Sequence, residues 1–483
     1  MEGAPVKADC DVVVVGGGLA GLACAHALAR ARVEVRLLEG SPRLGGVVAT
    51  RRGEHLFEEG PNTVQAGGAH FRALVDELGL SERLVCTRDH EGRPSAGGER
   101  HLWHAGRLVA LPAKPSGLLG TPLLSWRAKA MIATEPLRRF HPPGPGEEEP
   151  TFEAFLSARI GREATMRLAG AFVRGVHGAE IGALGARSAF PRLWEATCRH
   201  GSLLKAARAL QAGPATRLPG PDWPRGALVS FPSGLQELVE ALARELGAHA
   251  SVSSLVDTVE RAGRLWRVRT SGGATLHARA VVLATPAPML ARLCGRWFDR
   301  SWCARAAAIP HASLVVAHLA FAPGAVPADA PRGFGFLVPP EAASRPDAPL
   351  AWGAIHASEL FEGRAPRGAR SYAVFLPPSA VEGLDDDEVA RVAAADLARA
   401  SGMRATPRLS DWNVRRWHNA IPTFGVGHMR LVADIRAALA AQADGLEVAA
   451  SWTDGISVDS VVGAGREAAR RVQARLLSWE DAA

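Results

Sequence analysis

The amino-acid sequence predicts an α/β fold in which one nucleotide-binding-type domain is assembled from separated stretches of chain. Three observations carry that prediction. A β-branched run, Asp11-Val12-Val13-Val14-Val15, lies near the start and leads into three consecutive glycines and a helical stretch. Strand-length and helix-length patterns return over 235–284 and after 427, without any repeat of the sequence itself. Between them lie two regions of different texture, one of them rich in Pro, Arg and Trp. A chain of 483 residues is about three times a typical domain, long enough for such a composite.

In order, 11–15 reads as a strand covered on both faces, and the residues to about Arg30 read as a helix. The segment 33–38 is a second strand ending at Glu39. Residues 235–246 place Leu, Val and Ala at helical spacing, and 251–258, 265–270 and 278–284 are short strands leading to Thr285-Pro286. Residues 312–321 and 333–338 are strand-like. Helices are expected over 385–400 and 427–441, a strand over 446–450 and a closing helix over 458–477.

Composition excludes several classes. Hydrophobic residues make up 47% and charged residues 22%, which is globular, and the 51 Gly and 33 Pro follow no collagen period. The net charge of +7 comes with only four lysines, at 7, 114, 129 and 205, and with no basic run. That pattern is an arginine bias rather than a nucleic-acid footprint. Six scattered cysteines include no CxxC pair, so neither a zinc site nor a disulfide framework is expected, and a reduced compartment is. Residues 1–10 carry no signal pattern, and the apolar stretch 314–321 is interrupted by His318. A soluble or peripheral, cytoplasmic protein is the expectation.

The turn Gly16-Gly17-Gly18-Leu19-Ala20-Gly21 joins the first strand to the first helix. Glycines at 16, 18 and 21 let backbone approach a pyrophosphate, whose charge is favoured at a helix N-terminus. Glu39, at the end of the second strand, is placed to accept from ribose hydroxyls and to repel a 2′-phosphate. A glycine turn alone can be empty; strand, helix and terminal acid together predict a Rossmann-like dinucleotide site. Arg43-Leu44-Gly45-Gly46 adds a cation and two flexible residues beside the same pyrophosphate, and Glu59-Gly60-Pro61-Asn62 is a second tight turn.

These elements resemble the opening of the FAD-dependent amine oxidase and protoporphyrinogen oxidase superfamily, and Thr285-Pro286 after a strand resembles another of its signatures. Several later segments resemble protoporphyrinogen oxidases in particular. They are Gly60-Pro61-Asn62-Thr63; Arg100-His101-Leu102-Trp103 with Gly106, Leu108 and Leu111-Pro112; Gly333 to Pro339; and Gly353 to Ser358 with Phe361 and Arg364. Trp417, Asn419, Ile421-Pro422, Phe424 and Gly427-His428 match a W-x-N-x-I-P pattern and its continuation. Gly455-Ile456-Ser457-Val458-Asp459 resembles the closing flavin turn.

The resemblance implies FAD, and a discontinuous Rossmann-like FAD-binding domain at 8–87, 225–295 and 405–478. A mixed-sheet substrate domain is implied at 88–111 and 296–404, with a helical insertion at 112–224. Cofactor contacts are implied for Gly16, Gly17, Gly18, Leu19, Ala20, Gly21, Glu39, Gly40, Arg43, Gly45, Gly46, Val47, Gly60, Pro61, Asn62, Thr63, Val256, Thr285, Trp417, Gly455, Ile456, Ser457 and Val458. Substrate contacts are implied for Arg100, Asn62, Ala179, Phe334 and Ile355. The implied reaction takes a porphyrinogen, protoporphyrinogen IX or coproporphyrinogen III, by hydride transfer to flavin N5, with reoxidation by oxygen. It belongs to haem biosynthesis, and no side chain is assigned as the chemical catalyst.

Arg100 suits a substrate carboxylate because guanidinium pairs bidentately; a solvated surface arginine is its alternative. Asn62 and the phenylalanines at 334 and 336 have ordinary turn and core readings beside the functional ones. His177 reads as a packing residue, His318 and His356 as satisfied histidines, and Trp452 as a second flank of the flavin. Two departures from the family stand out: Ala179-Glu180 where it has Gly-Asp, and Asp459-Ser460 where it has Asn-Asp. A homodimer and contact of the 112–224 region with a membrane surface follow from the resemblance, against a helical cap packed on the protein itself. An amine oxidase, a carotenoid desaturase or a non-catalytic flavin- or tetrapyrrole-binding paralogue are the alternatives. For an amine oxidase, the lysine common in the second half of the chain is absent.

Overall fold

Strand Cys10–Val15 pairs in parallel with Val35–Leu38 on one side and with Thr275–Leu283 on the other, and these three make the centre of the first sheet. The structure is a computed structural model that describes residues 7–89, 93–95, 97–112, 115–144, 146–212, 223–224, 226–294 and 300–480. Ala250–Ser251 extends the sheet beyond Val35–Leu38, and Leu446–Val448 joins Thr275–Leu283 in parallel. Leu265–Thr270 and Val256–Ala262 add antiparallel strands at the other side.

The valine run is buried on both faces because its alternating side chains enter two different cores. Val12 and Val14 pack with helices Leu19–Arg30, Gln236–Leu246 and Val458–Glu480. Val13 and Val15 pack with Ala287–Cys294, Arg300–Ala307 and His428–Gln442.

The second sheet has seven strands. Its order is Leu409–Pro422, His311–Phe321, Arg370–Leu376, Gly353–Ile355, Gly335–Leu337, Arg100–His104 and Arg107–Ala110. Only the pairing of Gly335–Leu337 with Arg100–His104 is parallel, so the sheet is mixed as expected. Helix Asp386–Ala400, opened by a reciprocal capping box between Asp385 and Glu388, covers one face. The other face carries Leu314, Val316 and Ala373, flanked by Trp352, Ile355, Trp417 and Ile421.

The described residues of the 112–224 region are largely helical, with their own core of Phe152, Phe155, Val173, Leu184 and Trp194. Leu123 and Leu124 are buried there, whereas Leu119 and Trp126 are exposed.

Two expected domain boundaries move. Strand Leu409–Pro422 belongs to the second sheet, so the third part of the nucleotide domain starts after Pro422 rather than at 405. Its Trp-x-Asn motif belongs to the second sheet by backbone and reaches the neighbouring domain by side chain. Helix Arg300–Ala307 and Ile309 pack in the core of the first sheet, so the second part runs past 295.

Candidate functional site

The glycine loop is shaped by close approach. Gly16 has φ +107°, and a Cβ there would meet the Ala284 carbonyl oxygen at 2.6 Å. A Cβ on Gly21 would lie 1.9 Å from the Gly16 carbonyl oxygen, so helix Leu19–Arg30 packs directly on the turn. Gly18 instead faces open space, with nothing within 4 Å. The helix has no side-chain N-cap and no acidic residue in its first turn. The N–H groups of Ala20 and Gly21 therefore remain available to an anion beside Gly18.

A second loop doubles the first. The Gly45 N–H donates to the Gly17 carbonyl (2.8 Å), and a Cβ on Gly46 would lie 3.1 Å from Gly18 Cα. The Arg43 guanidinium donates to the carbonyls of Leu44, Gly46 and Val48. It thus builds the loop rather than reaching free into the cradle. Glu39 accepts from the Gly17 N–H (2.6 Å) and the Ser41 N–H (2.7 Å), which leaves further lone pairs on both oxygens for ribose hydroxyls. Ser253 and Ser254 bond to the backbone of Ser41 and Glu39, and Leu255 packs on Gly40, so the start of the Val256 strand lies beside this acid. The Val256 side chain itself is core.

Thr285 stands behind Gly16, and its carbonyl accepts from Trp452 Nε1 (3.0 Å). Trp452 is fully buried, so it braces the loop instead of flanking a ring.

The turn at Gly60-Pro61-Asn62-Thr63 is pressed onto the same cradle. A Cβ on Gly60 would lie 1.9 Å from the Val47 carbonyl oxygen, while the Val47 side chain is exposed. Asn62 Nδ2 donates to the Gly60 carbonyl. From the second sheet, Trp417 Nε1 donates to the Glu59 carbonyl (2.7 Å).

At the closing turn, Gly455 has φ +131° and Ser457 Oγ accepts from the Ser460 N–H, capping helix Val458–Glu480. Ile456 and Val458 lie on either side of this cap. Gly465 lets the helix cross the start of Leu19–Arg30, where a Cβ would meet the Ala20 carbonyl oxygen at 2.2 Å. The departure at Asp459 has a local purpose, since its carboxylate accepts from the Phe71 N–H (2.8 Å) and caps helix Ala69–Glu77.

Facing this cradle is the apolar side of the second sheet. Asn62 and Ile355 line one cleft with Phe57, Glu58, His318 and Arg364. Ile355, Gly335 and Arg100 are register partners across three strands, which puts Ile355 and Arg100 on one face about 10 Å apart. The Arg100 guanidinium lies 4.7 Å over the Phe334 ring. Phe334 is half-buried, whereas Phe336 is core.

Ala179 follows Gly178, which ends helix Ala171–His177 at φ +60°. A Cβ on Gly178 would touch Ala312 and Trp352, so this turn borders the same wall. The left-handed position falls on Gly178, so the extra methyl of Ala179 introduces no backbone strain. His177 packs edge-on against Phe190 (5.4 Å), and burial lowers its pKa to about 4.

The expectation of satisfied histidines fails for His356 and holds for His318 at no more than one nitrogen. Among the described residues, His318 Nε2 and both ring nitrogens of His356 have no hydrogen-bond partner. The rings pack as aromatics, His318 stacked on Phe57 (5.3 Å) and His356 edge-on to Tyr372 (5.1 Å). Burial lowers the pKa of each to about 3, which keeps both neutral.

The sequence reading missed the buried pair of Glu58 and Arg364, 3.4 Å apart, and the grip of Asn413 and Arg415 on Glu59. The available signal was the doubled acid before Gly60, because strand alternation must send Glu58 and Glu59 to opposite sides.

Residues 19–473 match the family described as flavin containing amine oxidoreductase. Among curated proteins, a coproporphyrinogen III oxidase of Propionibacterium freudenreichii subsp. freudenreichii is 29% identical, covering 97% of this chain and 92% of its own. A protoporphyrinogen oxidase of Macaca fascicularis is 32% identical, covering 95% and 97%. A crystal structure from Exiguobacterium sp. 255-15 superposes with a TM-score of 0.80 at 20% identity, over 97% of this chain and all of that one, and so shares the fold. Among the described residues, no helix is long and apolar enough to cross a membrane, and no group of His, Cys, Asp and Glu could hold a metal ion.

Proposed function

The chain belongs to the flavin-containing amine oxidoreductase family, with FAD as its cofactor, and from that membership we propose that it oxidises a porphyrinogen to the porphyrin in haem biosynthesis. The residues fit the cofactor. Gly18 leaves room for a pyrophosphate at unpaired helix N–H groups, Glu39 keeps acceptors for a ribose, and exposed Val47 lies beside the close-packed Gly60. When bound, FAD supplies the acceptor for a hydride, and the protein supplies orientation and a dry wall.

The observation that carries the substrate reading is the register row from Ile355 to Arg100. It runs from the cleft at Asn62 to a guanidinium on the same face, behind an apolar sheet. A flat macrocycle with carboxylate arms suits that layout: the ring lies against Ile355, Trp352 and Ile421, and one arm pairs with Arg100. Arg100 and Phe334 then hold register, while Asn62 and Gly178-Ala179 border the reacting end. The names of the two curated relatives support the same substrate class. With no lysine after Lys205, the side chain that commonly holds a water in amine oxidases is absent from this wall.

The test is anaerobic mixing of the yellow protein with protoporphyrinogen IX or coproporphyrinogen III. Bleaching of the flavin with appearance of porphyrin fluorescence is expected, and the faster arm identifies the substrate. Bound flavin that stays oxidised with both would reject the reading. Readmission of oxygen should restore the yellow colour with release of hydrogen peroxide.

A cytoplasmic protein resting on the membrane surface is the accompanying proposal. Exposed Leu119 and Trp126 flank Lys129, whose ammonium lies 4.5 Å from the Trp126 ring. Sedimentation with anionic vesicles should fall in a Leu119→Ser, Trp126→Ser variant; equal sedimentation of both proteins would refute it.

A further inference from the structure

Two consecutive glutamates precede the turn at Gly60, and extended chain points them to opposite sides. Glu58 is buried, accepts from Thr50 Oγ1 (2.7 Å) and the Leu235 N–H (2.9 Å), and pairs with Arg364. Glu59 faces the second sheet. Its carboxylate accepts from Asn413 Nδ2 (3.1 Å) and stands 3.9 Å from Arg415 Nε, and the Arg415 guanidinium lies 4.4 Å over the Trp417 ring.

Glu59 is also bound to the cofactor cradle through a short chain of contacts. It adjoins Gly60, which packs on the Val47 carbonyl; Val47 follows Gly46, which packs on Gly18. On the cradle side Arg43 feels Arg415, Glu59 and Glu39. Glu39 is the remaining charge there, held by the amides of Gly17 and Ser41. One carboxylate therefore acts on two guanidiniums, one from each domain, where the Gly60 turn packs on the cradle.

We infer that Glu59 tunes the reduction potential of the bound flavin by offsetting Arg43 and Arg415, while its carbonyl and carboxylate position the Gly60 turn against the second sheet. The two-electron-reduced cofactor carries more negative charge than the oxidised one, so it is favoured by an uncompensated cation nearby. Neutralising Glu59 leaves Arg415 without its carboxylate and Arg43 with Glu39 alone, and so raises the potential. Neutralising Arg415 leaves an excess of acid and lowers it. The inference rests on FAD binding alone and not on the identity of the substrate.

The experiment is reductive titration of the flavin-loaded wild type, Glu59→Gln and Arg415→Gln against a reference dye. Glu59→Gln should shift the reduced-to-oxidised ratio about tenfold toward reduced, or about 30 mV upward for a two-electron couple. Arg415→Gln should shift it downward. Potentials unmoved in both variants, or moved in the same direction, would overturn the inference, because loosened packing does not follow the sign of the charge removed. If Glu59→Gln does not fold, Arg415→Gln must still lower the potential and Glu59→Asp must leave it near wild type; any other result overturns the inference. A wild type that titrates as expected yet leaves porphyrinogens untouched would reject the proposed substrate and not this role of Glu59.

Discussion

Around Gly16, Gly21 and Gly60 the chain builds its site from backbone, whereas around Ile355, Phe334 and Trp417 it builds with side chains. In the cradle an added methyl would fall within 2.6 Å of a carbonyl oxygen at all three glycines. The wall is an apolar sheet face with single polar groups at its margins, Asn62 in the turn and Arg100 at the far strand. The first construction tolerates one residue type per position; the second tolerates any set of side chains that keeps a flat apolar surface.

The sharpest way to break this comparison is to exchange a methyl in each half. Gly60→Ala should cost on the order of 3 kcal/mol in holding the flavin turn, or about a hundredfold in cofactor affinity, read as flavin absorbance of the purified protein. Ala179→Gly, at the wall, should leave flavin content at the wild-type level. Equal flavin loss in the two variants would mean that the cradle is no more constrained than the wall.

Acid should separate the halves next. His318 and His356, on the second sheet, have folded pKa values of about 3 against roughly 6.5 unfolded. The unfolded chain therefore binds protons that the native state refuses. Stability is full above about pH 6.5 and falls as pH drops toward 3, by about 1.4 kcal/mol per unit for each ring, or about 2 kcal/mol each at pH 5. Melting temperatures at pH 7 and 5 measure this drop. His318→Phe, which keeps the stack on Phe57, should reduce the slope by about 1.4 kcal/mol per unit and leave the share of His356; an unchanged slope would show that His318 is protonated in the native state.

The same contrast explains what could be read from the sequence. The valine run, the glycine spacing and the acid at 39 were legible because each follows from local geometry. Predicted and observed elements there agree to within a few residues, as in 33–38 against Val35–Leu38. The closing helix and the strands leading to Thr285 were legible for the same reason. The wall was not legible from spacing. Its strands are as short as the three residues Gly335–Leu337, and their order interleaves segments from residue 100 to residue 422, so only likeness to a known family brought them together. For long-range pairs such as Glu58 with Arg364 the doubled acid at 58 and 59 marks one end, but nothing local names the partner. Trp417 is ambiguous by sequence because its side chain bonds the Glu59 turn of the nucleotide-binding half while its backbone belongs to the second sheet.

Arg100 offers a smaller, kinetic test of the wall. Arg100→Met keeps length and apolar contact with Phe334 but removes the charge-assisted bond to a carboxylate, worth about 1.5 kcal/mol or more. A rise in KM of about tenfold is expected, with the flavin spectrum unchanged. If KM stays level, the guanidinium is a solvated surface charge and the register row loses its anchor.

The smallest effect falls at the closing turn, where two side-chain caps stand two residues apart. Ser457 caps its own helix, Val458–Glu480, while Asp459 caps a different one, Ala69–Glu77. Loss of either cap should cost about 1 kcal/mol, measured as a lower urea midpoint at constant slope. The consequences for the cofactor should differ. If Ser457 lies in the turn that closes the flavin site, as the family resemblance implies, Ser457→Ala should also weaken retention of flavin in dialysis. Asp459 points away to the N–H of Phe71, so Asp459→Ala should lose stability alone. If Asp459→Ala sheds flavin as readily as Ser457→Ala, helix Ala69–Glu77 is part of the cradle, and the backbone-built half of the site extends further than its glycines mark.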